Sequence, residues 1–430
     1  MNREEIYKFC KNLSKKENVE FIFTKSENES VSLDGFKISD TRIKEGESLN
    51  IKIISNSSFG ESRVNHITKE NILKGIMIAK KNAKLKKNEI KIKDFGKNKE
   101  NLKIKYPNDI KEILFPEIIE KVKKELKKKK YIVSYSGKVS KNIFKKLYIN
   151  PHTEFEIEKS SLYLGVVVNT KNKKPSSGDY ENIFTRKEDI KISETFNQAR
   201  INALNQTNPQ AGEKGKYTLI LTPEMTSEFV EELILEATNG SLINKKESYL
   251  HNFKNKQIFS KGFSIMEKPH LDYFLSSQAI DDEGFKTTEK VIFENGVFKK
   301  EIYDQYDSIK YNKKPTGNGF RKTLIETDYT NIIQKPGTKG IEKIISSTKK
   351  GLLVYSIIGF HTNNLVTGNF SLTILSAKEI VNGKFTKTIT NFTFSGDLKT
   401  MLKDISFSKE QKFFGDSLYS FSVIPDVSLI

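Results

Sequence analysis

Apolar residues fall first at helical and then at strand spacing over the first part of the chain. A helix is predicted where they recur every three or four positions, at Ile6, Phe9, Cys10 and Leu13. Strands are predicted at three runs, 20–23, 30–33 and 49–53, with a turn at Asp34-Gly35. Thr68 is placed to cap a second helix that ends near Lys84. Residues 1–85 are therefore expected to form one sheet-and-helix unit.

A second sheet-and-helix unit is predicted over residues 86–210. It opens with a lysine-rich polar segment, 86–105, which has little to bury and is expected to be a linker. The elements expected after it are helices over 113–130 and 192–204, strands of a second sheet over 131–135 and 161–168, and a surface turn over 175–180. The basic run KVKKELKKKK at the end of the first of these helices is interpreted as a solvated C-terminus, where lysines complement the helix dipole.

Residues 211–430 are expected to form a C-terminal domain that is rich in strands. The run 217–221 predicts a strand, and Pro223 opens a helix that Asn239-Gly240 is expected to stop. The runs 291–294 and 297–298, joined by Asn295-Gly296, predict a hairpin with a type I′ turn. The predicted fold class is α+β: a two-part N-terminal α/β sheet region followed by a domain rich in antiparallel β-strands.

The charge balance is strongly basic, with 73 basic against 54 acidic residues and a net charge of +19. Such an excess favours nucleic acid as a partner. Only six of the basic residues are arginine, however, and arginine is the residue best suited to phosphate and base contacts. Because the lysines are spread along the whole chain, nucleic acid is not expected as a partner.

The cysteine content and the lengths of the apolar runs indicate the cellular compartment in which the protein is expected. Cys10 is the single cysteine and is expected in the core, so neither an intrachain disulfide nor a cysteine-rich zinc site can form. The chain starts without the apolar region of a signal peptide. No apolar run approaches the roughly 18 residues of a membrane span. A cytoplasmic location without membrane contact is expected.

A series of short motifs carries a more specific indication. In chain order they are D-x-x-G-x-x-T from Asp281, E-N-G-V from Glu294, T-G-x-G-x-R from Thr316, Asn331-Ile332, G-L-L-V from Gly351 and T-G-N-F-S from Thr367. Together they resemble the C-terminal domain of the TldD/PmbA (TldE) metallopeptidase family. The resemblance extends to 42–60, which matches the family's first sheet, and to 215–221, which matches its central strand.

The resemblance implies a zinc helix with the motif H-E-x-x-x-H in the active branch of the family. Counting from the central strand places Glu231 and Glu236 at the histidine positions and Glu232 at the glutamate. The family's C-terminal cysteine ligand is also missing, since 418–423 has no cysteine. Carboxylates without an imidazole bind zinc weakly, and residues five apart on a regular helix diverge by about 140°. No metal or catalytic residue is predicted, and the glutamates are interpreted as a solvated or partner-facing edge. The buried stripe of the same helix is expected to comprise Phe229, Val230, Leu233, Ile234 and Ala237.

By resemblance, the chain is expected to be a TldE/PmbA-like, non-catalytic subunit of a TldD/TldE-type metalloprotease that degrades peptides or unfolded segments. Zinc is then expected only in an H-E-x-x-x-H partner, within a heterodimer, while a homodimer is the other arrangement. The residues expected on the wall of the substrate cavity are Thr316, Gly317, Gly319, Arg321, Thr367, Gly368 and Phe370. Tight sheet turns are the other interpretation of the glycines among them.

Two alternative functions remain open from the sequence. One is a stand-alone metallopeptidase whose ligands converge from distant residues. The other is a regulator associated with DNA topology or nucleic acid, which would need a continuous basic surface. Whether the isolated chain is an enzyme is left open with them.

Overall fold

The fold is α+β and is built on two large sheets. The computed structural model describes residues 3–55, 58–85, 91–98, 104–321 and 325–430. Six antiparallel strands from the first half of the chain form one sheet, and twelve strands from the second half form a larger mixed sheet. Among the described residues, none of the helices is long and apolar enough to cross a membrane.

The first half contains four α-helices and six long strands within the described ranges. The helices are α1 (Arg3–Glu17), α2 (Lys69–Leu85), α3 (Phe115–Glu125) and α4 (Ile192–Asn205), with 3-10 turns at Ile110–Glu112 and Lys187–Asp189. The strands are β1 (Val19–Gly35), β2 (Lys37–Ser55), β3 (Ser58–Val64), β4 (Ile132–Ile149), β5 (Glu154–Asn172) and β6 (Lys174–Phe184).

The six strands form one continuous sheet in the order β3-β2-β1-β4-β5-β6. The two runs predicted at 20–23 and 30–33 are parts of the single strand β1, because its polar middle is paired on both sides, by β2 and by β4. The expectation of a second sheet over 131–168 is therefore wrong. Hydrophobic alternation marks a strand but does not specify its neighbour. The division of the chain at residues 85 and 210 stays a prediction.

The helices of the first half pack in two groups. α1 and α2 share a core with β1 to β3, where Cys10 is fully buried and burial raises the pKa of its thiol to about 12. α3 and α4 share a second core with β4 to β6. The predicted cap of α2 is confirmed, since the amide of Asn71 donates to Thr68 Oγ1 at 3.2 Å.

Three local predictions in this half need correction. α3 ends at Glu125, five residues before the predicted Lys130, because the next residue, Leu126, turns into the core. Residues 175–180 are not a turn but part of β6, an edge strand that tolerates Pro175. The segment 86–105 is not free of buried groups, since Ile92 and Phe95 pack against Ile54. Residues 86–90 and 99–103 of that segment lie outside the described ranges.

The second half contains the larger sheet. The strands of the second half run from β7 to β20, in order Gln210–Ala211, Gly215–Leu221, Ile265–Glu267, Lys290–Glu294, Val297–Phe298, Gly319–Arg321, Ile325–Thr327, Ile332–Gln334, Lys350–Ile358, Asn369–Val381, Lys384–Thr390, Phe392–Asp397, Ser406–Phe413 and Ser417–Leu429. β12 and β13 form a separate two-stranded sheet, and the other twelve strands form the larger sheet of this half. Its α-helices, α5 to α9, are Pro223–Val230, Gly240–Lys245, Gln305–Lys310, Ile341–Ser347 and Leu398–Met401. Short 3-10 turns cover Glu236–Thr238, Phe360–Thr362 and Leu402–Asp404.

The predicted strand at 217–221 is confirmed as β8, which lies between β20 and β15 in the larger sheet. β8 pairs parallel to β15 and antiparallel to β20, so the larger sheet contains parallel as well as antiparallel strand pairs. The predicted hairpin is confirmed as β10 and β11. Asn295 and Gly296 have φ values of 48° and 78°, as the type I′ turn requires.

The acidic turn Asp281-Asp282-Glu283-Gly284 is buried where the two halves meet. Glu283 accepts from Lys52 Nζ of β2 at 2.8 Å, and both side chains are 2% exposed. Asp282 accepts from Lys146 Nζ of β4 at 2.7 Å. Asp281 instead accepts backbone amides, including that of Phe285 at 2.8 Å. The N-terminal sheet is therefore joined to the second half through ion pairs that exclude water.

We expect Lys52→Met to reduce the free energy of unfolding by about 3–5 kcal/mol, because it leaves the Glu283 carboxylate buried without its cation. Urea unfolding followed by circular dichroism measures the loss. The control is Lys74→Met, which removes an exposed pair with Glu70 and is expected to leave the free energy of unfolding nearly unchanged, because water screens exposed charges. Equal effects of the two substitutions would contradict a structural role for the buried pair.

Candidate functional site

The segment predicted to carry the family's metal motif does not continue as a regular α-helix. α5 is capped by Thr222 and ends at Val230, and a π-helical turn then spans Glu231–Leu235. In that turn the amide of Glu236 donates to the carbonyl of Glu231, five residues earlier. Residues five apart therefore face one side. The predicted divergence of about 140° is wrong because it assumed α-helical geometry throughout.

The buried stripe predicted for this segment is confirmed, and it comprises Phe229, Val230, Leu233, Ile234 and Ala237. The predicted stop at Asn239-Gly240 is only half correct. Asn239 ends the segment, but its side chain also accepts the amide of Ser241 and so caps α6. The chain therefore enters the next helix immediately, and the glutamates of the segment, Glu231, Glu232 and Glu236, are exposed on its other side.

The acidic side of the π turn lines a cavity of about 570 Å³, which we call the acidic cavity. Five carboxylates line it, from Glu231, Glu232, Glu236, Asp328 and Asp416. Hydroxyl groups of Ser276, Thr327, Tyr329, Thr330 and Ser417 are also on its lining. Among the residues that the structure describes, no lysine, arginine, histidine or cysteine lines it. A strongly basic protein therefore holds a locally acidic chamber.

Burial and neighbouring carboxylates raise the pKa values of both Glu231 and Asp416 in this cavity. Burial, and then the charge of Asp416, raises the pKa of Glu231 to about 7. Burial also raises the pKa of Asp416, although Ser276 Oγ donates to its carboxylate at 3.0 Å. The Glu231 side chain is open to the cavity interior while protein surrounds it on most sides. Near neutral pH the cavity therefore exchanges a proton readily and attracts cationic groups.

A second, smaller cavity of about 220 Å³ adjoins the acidic cavity, and we call it the side cavity. The two share Ser276, Asp328 and Tyr329 on their linings. The side cavity adds three basic side chains, from Lys146, Lys159 and Arg321. Of the seven residues predicted on a substrate wall, Arg321 is the one that lines either of these two cavities.

The other predicted wall residues around 316–319 support the acidic turn instead. Thr316 Oγ1 donates to Asn318 Oδ1 at 2.7 Å. A Cβ atom on Gly317 would lie 2.3 Å from the Lys286 carbonyl oxygen, and one on Gly319 would lie 2.3 Å from Glu283. These glycines are required for close packing. Thr316, Gly317 and Gly319 thus hold the turn without lining either cavity.

The predicted wall residues Thr367, Gly368 and Phe370 also lie in packed surroundings. Gly368 has a φ of +80°, and a Cβ atom there would lie 3.1 Å from the Tyr249 ring. Phe370 is 4% exposed and packs edge-on against Phe229 at 5.9 Å between ring centroids. Thr367 lies within the turn 365–368 and does not line the acidic cavity. The interpretation as tight sheet turns fits these three positions.

The family to which the chain belongs follows from the segment that builds this site. The model of the PmbA/TldA metallopeptidase C-terminal domain matches residues 214–429, half of the chain, including the π turn and Asp416. The chain belongs to the TldD/PmbA metallopeptidase family. A metalloprotease of Methanocaldococcus jannaschii is 25% identical over 394 residues, which are 87% of this chain and 86% of that protein.

Further TldD/PmbA relatives agree with this membership. A metalloprotease PmbA homologue of Buchnera aphidicola is 30% identical over 205 residues, or 47% of this chain and 43% of that protein. The crystal structure of TldE from Thermococcus kodakarensis covers 99% of both chains with a TM-score of 0.87 at 20% identity. The last comparison shows a shared fold. The named relatives support a proteolytic role for the TldD/PmbA family as a whole.

The residues present do not fit the zinc ion that the TldD/PmbA family implies. The two positions that the count from the central strand assigns to the histidines hold glutamates. The raised pKa of Glu231 leaves its carboxyl partly protonated near neutral pH, whereas a metal ligand must be ionised. Within the described ranges, no group of three or more histidine, cysteine, aspartate and glutamate side chains is arranged to hold a metal ion. We therefore derive no metal-dependent step at this site.

Sequence reasoning missed the residues that face the π turn from elsewhere in the chain. Asp328, Tyr329 and Asp416 line the acidic cavity but belong to no short motif with the glutamates. Asp416 follows Gly415, whose φ of +90° marks the turn into β20. The turn at Gly415 was the one signal in the sequence near Asp416, and a turn does not indicate which other segment of the chain packs against it.

We expect the double substitution Glu231→His and Glu236→His to create a zinc-binding pair, because the π turn places both positions on one side. Competition with a chromophoric chelator should show tighter zinc binding by the double variant than by either single variant. Wild-type protein and the single variants are the controls. If the double variant binds zinc no more tightly than the single variants, the conclusion that the two positions lie on one side of the turn is contradicted.

The raised pKa of Glu231 predicts a pH-dependent gain in stability for Glu231→Gln. The folded pKa, about 7, lies above the ordinary glutamate value of 4.5, so wild-type stability falls as pH rises between these values. Thermal unfolding should show a larger rise in Tm for the variant at pH 8 than at pH 4.5. Glu247→Gln, at an exposed position, is expected to show no such difference. A gain that is equal at both pH values would contradict the prediction.

Proposed function

We propose that this chain is the non-catalytic subunit of a TldD/TldE-type protease and that its acidic cavity receives peptides or unfolded segments. An H-E-x-x-x-H partner supplies the zinc ion and performs the cleavage. The observation that carries the proposal is the π turn that keeps positions 231 and 236 on one side of a cavity although both hold glutamates. A segment that has the geometry of a binding site without metal ligands is most simply explained by a role in binding peptides.

The size and lining of the acidic cavity support a peptide as its ligand. Its volume of about 570 Å³ lies within the range of roughly 300–1,000 Å³ that is usual for ligand sites. Its carboxylates and hydroxyls accept hydrogen bonds from peptide amides, ammonium groups and guanidinium groups. Phosphates would be repelled by the same carboxylates, so this site does not favour the nucleic-acid alternative.

A heterodimer is the assembly that the proposal requires. Family relatives carry both PmbA-type and TldD-type names, which supports two kinds of subunit. A homodimer of this chain would bring together two copies of the same glutamate-bearing segment. It would therefore supply neither of the histidines that the zinc motif needs.

We expect peptide cleavage when this chain is mixed with the H-E-x-x-x-H paralogue from its own genome, and no cleavage by this chain alone. Size-exclusion chromatography measures association, and a quenched-fluorescence unfolded peptide measures cleavage. The paralogue with glutamine at its motif glutamate is the control for chemistry, and it should associate without cleaving. A mixture that neither associates nor cleaves would refute the proposal, as would cleavage by this chain alone.

Within the active mixture, Asp416→Asn is expected to lower kcat/KM for lysine-containing peptides, because it removes negative charge from the cavity. Asp426→Asn, at an exposed position, is the matched control. The same loss for both variants would contradict a role of the acidic cavity in peptide binding.

A further inference from the structure

Lys159 is a buried cation without a close carboxylate partner among the described residues. It is 8% exposed, and its Nζ donates to two backbone carbonyl oxygens, of Leu275 at 2.6 Å and of Ser277 at 2.7 Å. An ammonium group has three donors, so one is left for another acceptor. Burial and the neighbouring Lys146 lower the pKa of Lys159 to about 7, while Asp282 and Asp416 act on it from further away.

Arg321 is also on the lining of the side cavity and has an unused donor. Its side chain is 5% exposed, and its Nη2 donates to Glu61 at 2.8 Å. Its Nε is buried and has no hydrogen-bond partner. Buried donors are almost always paired, so an unpaired guanidinium nitrogen on a cavity lining indicates an acceptor that a ligand provides.

The third cation of the side cavity is already neutralised within the protein. Lys146 Nζ pairs with Asp282 at 2.7 Å, and Asp282 also accepts the backbone amide of Arg321 at 3.0 Å. Asp328 lies where the side cavity meets the acidic cavity. The unsatisfied donors are therefore those of Lys159 and Arg321, and they suit an anionic oxygen.

The two cavities together restrict the kind of anion. With about 220 Å³, the side cavity is smaller than the roughly 300 Å³ at which whole-ligand sites begin, so it accommodates a group rather than a molecule. The neighbouring carboxylates of the acidic cavity repel a polyanion. A ligand that carries one carboxylate and is otherwise neutral or cationic meets the requirements of both cavities.

We propose that the side cavity binds a carboxylate group of the peptide whose remaining residues occupy the acidic cavity. The group accepts hydrogen bonds from Lys159 Nζ and Arg321 Nε, and cationic residues of the same peptide lie against Glu231 and Asp416. This inference rests on the proposed function, because it specifies which peptides the acidic cavity selects. The carboxylate is either the C-terminal group of the peptide or an acidic side chain near its end.

The test measures binding of short peptides to the purified full-length chain by calorimetry. A pentapeptide of alanine and lysine is compared as its free acid and as its C-terminal amide. We expect the free acid to bind about tenfold more tightly, the effect of one charge-assisted hydrogen bond. A third peptide, amidated but ending in glutamate, distinguishes the two sources of the carboxylate. If it binds as tightly as the free acid, a side-chain carboxylate is also accepted.

Lys159→Met is expected to remove the preference for the free acid. The substitution takes away a buried cation, so the variant should remain folded, which thermal unfolding checks. Lys145→Met, on the neighbouring strand β4 and with a side chain that is 45% accessible, is expected to keep the preference. Arg321 is less suitable for substitution because it also pairs with Glu61.

Equal binding of acid and amide by the wild-type chain overturns the inference, and so does failure of all three peptides to bind. Retention of the preference by Lys159→Met overturns the role of Lys159. These results are separable from the cleavage assay. If the mixture cleaves peptides but shows no preference for the free acid, the carboxylate site is refuted and the proposed function is retained. If the chain prefers the free acid but the mixture does not cleave, the carboxylate site is supported and the proposed role as a protease subunit is refuted.

Discussion

The arrangement of the two halves depends on carboxylates of one turn that are buried against lysines of the N-terminal sheet. Moving such charges out of water is costly, and the cost is offset only when each charge meets its partner in good geometry. Lys52 with Glu283 and Lys146 with Asp282 satisfy that condition at 2.8 and 2.7 Å. A displaced sheet would leave several charges buried without partners. The ion pairs therefore specify one relative placement of the halves.

The same turn also positions the candidate site. Asp282 accepts the amide of Arg321, and Asp281 accepts the amide of Gly319 at 3.1 Å. The backbone that carries Arg321 to the side cavity is thus held by the residues that join the halves. A substitution that loosens the turn is expected to disturb both the interface and the cavity, so stability and binding are coupled here.

The acidic cavity shows how little net charge says about a particular site. The chain has a net charge of +19, yet five carboxylates converge on one chamber whose described lining contains no basic side chain. Lysines disperse over the surface because their ammonium groups prefer water. The carboxylates are held together by the π turn and by loops from distant parts of the chain. Burial, and then the charge of Asp416, raises the pKa of Glu231 there.

The sequence by itself determined features that depend on neighbours along the chain. Thr68 caps α2, Asn295-Gly296 turns the β10–β11 hairpin, and the apolar stripe after Phe229 is buried, since each needs only local geometry. Family membership was also visible, because short motifs keep their order and spacing.

Only the tertiary structure decided the features that depend on distant partners. The first half of the chain forms one sheet where two were expected, because each strand pairs with whichever strands of the folded chain lie beside it. The π turn brought Glu231 and Glu236 to one side, a local departure that apolar periodicity does not encode. Asp416 shares a cavity with Glu231 because distant segments of the second half pack together. Lys159 shares a cavity with Arg321 because the two halves pack together.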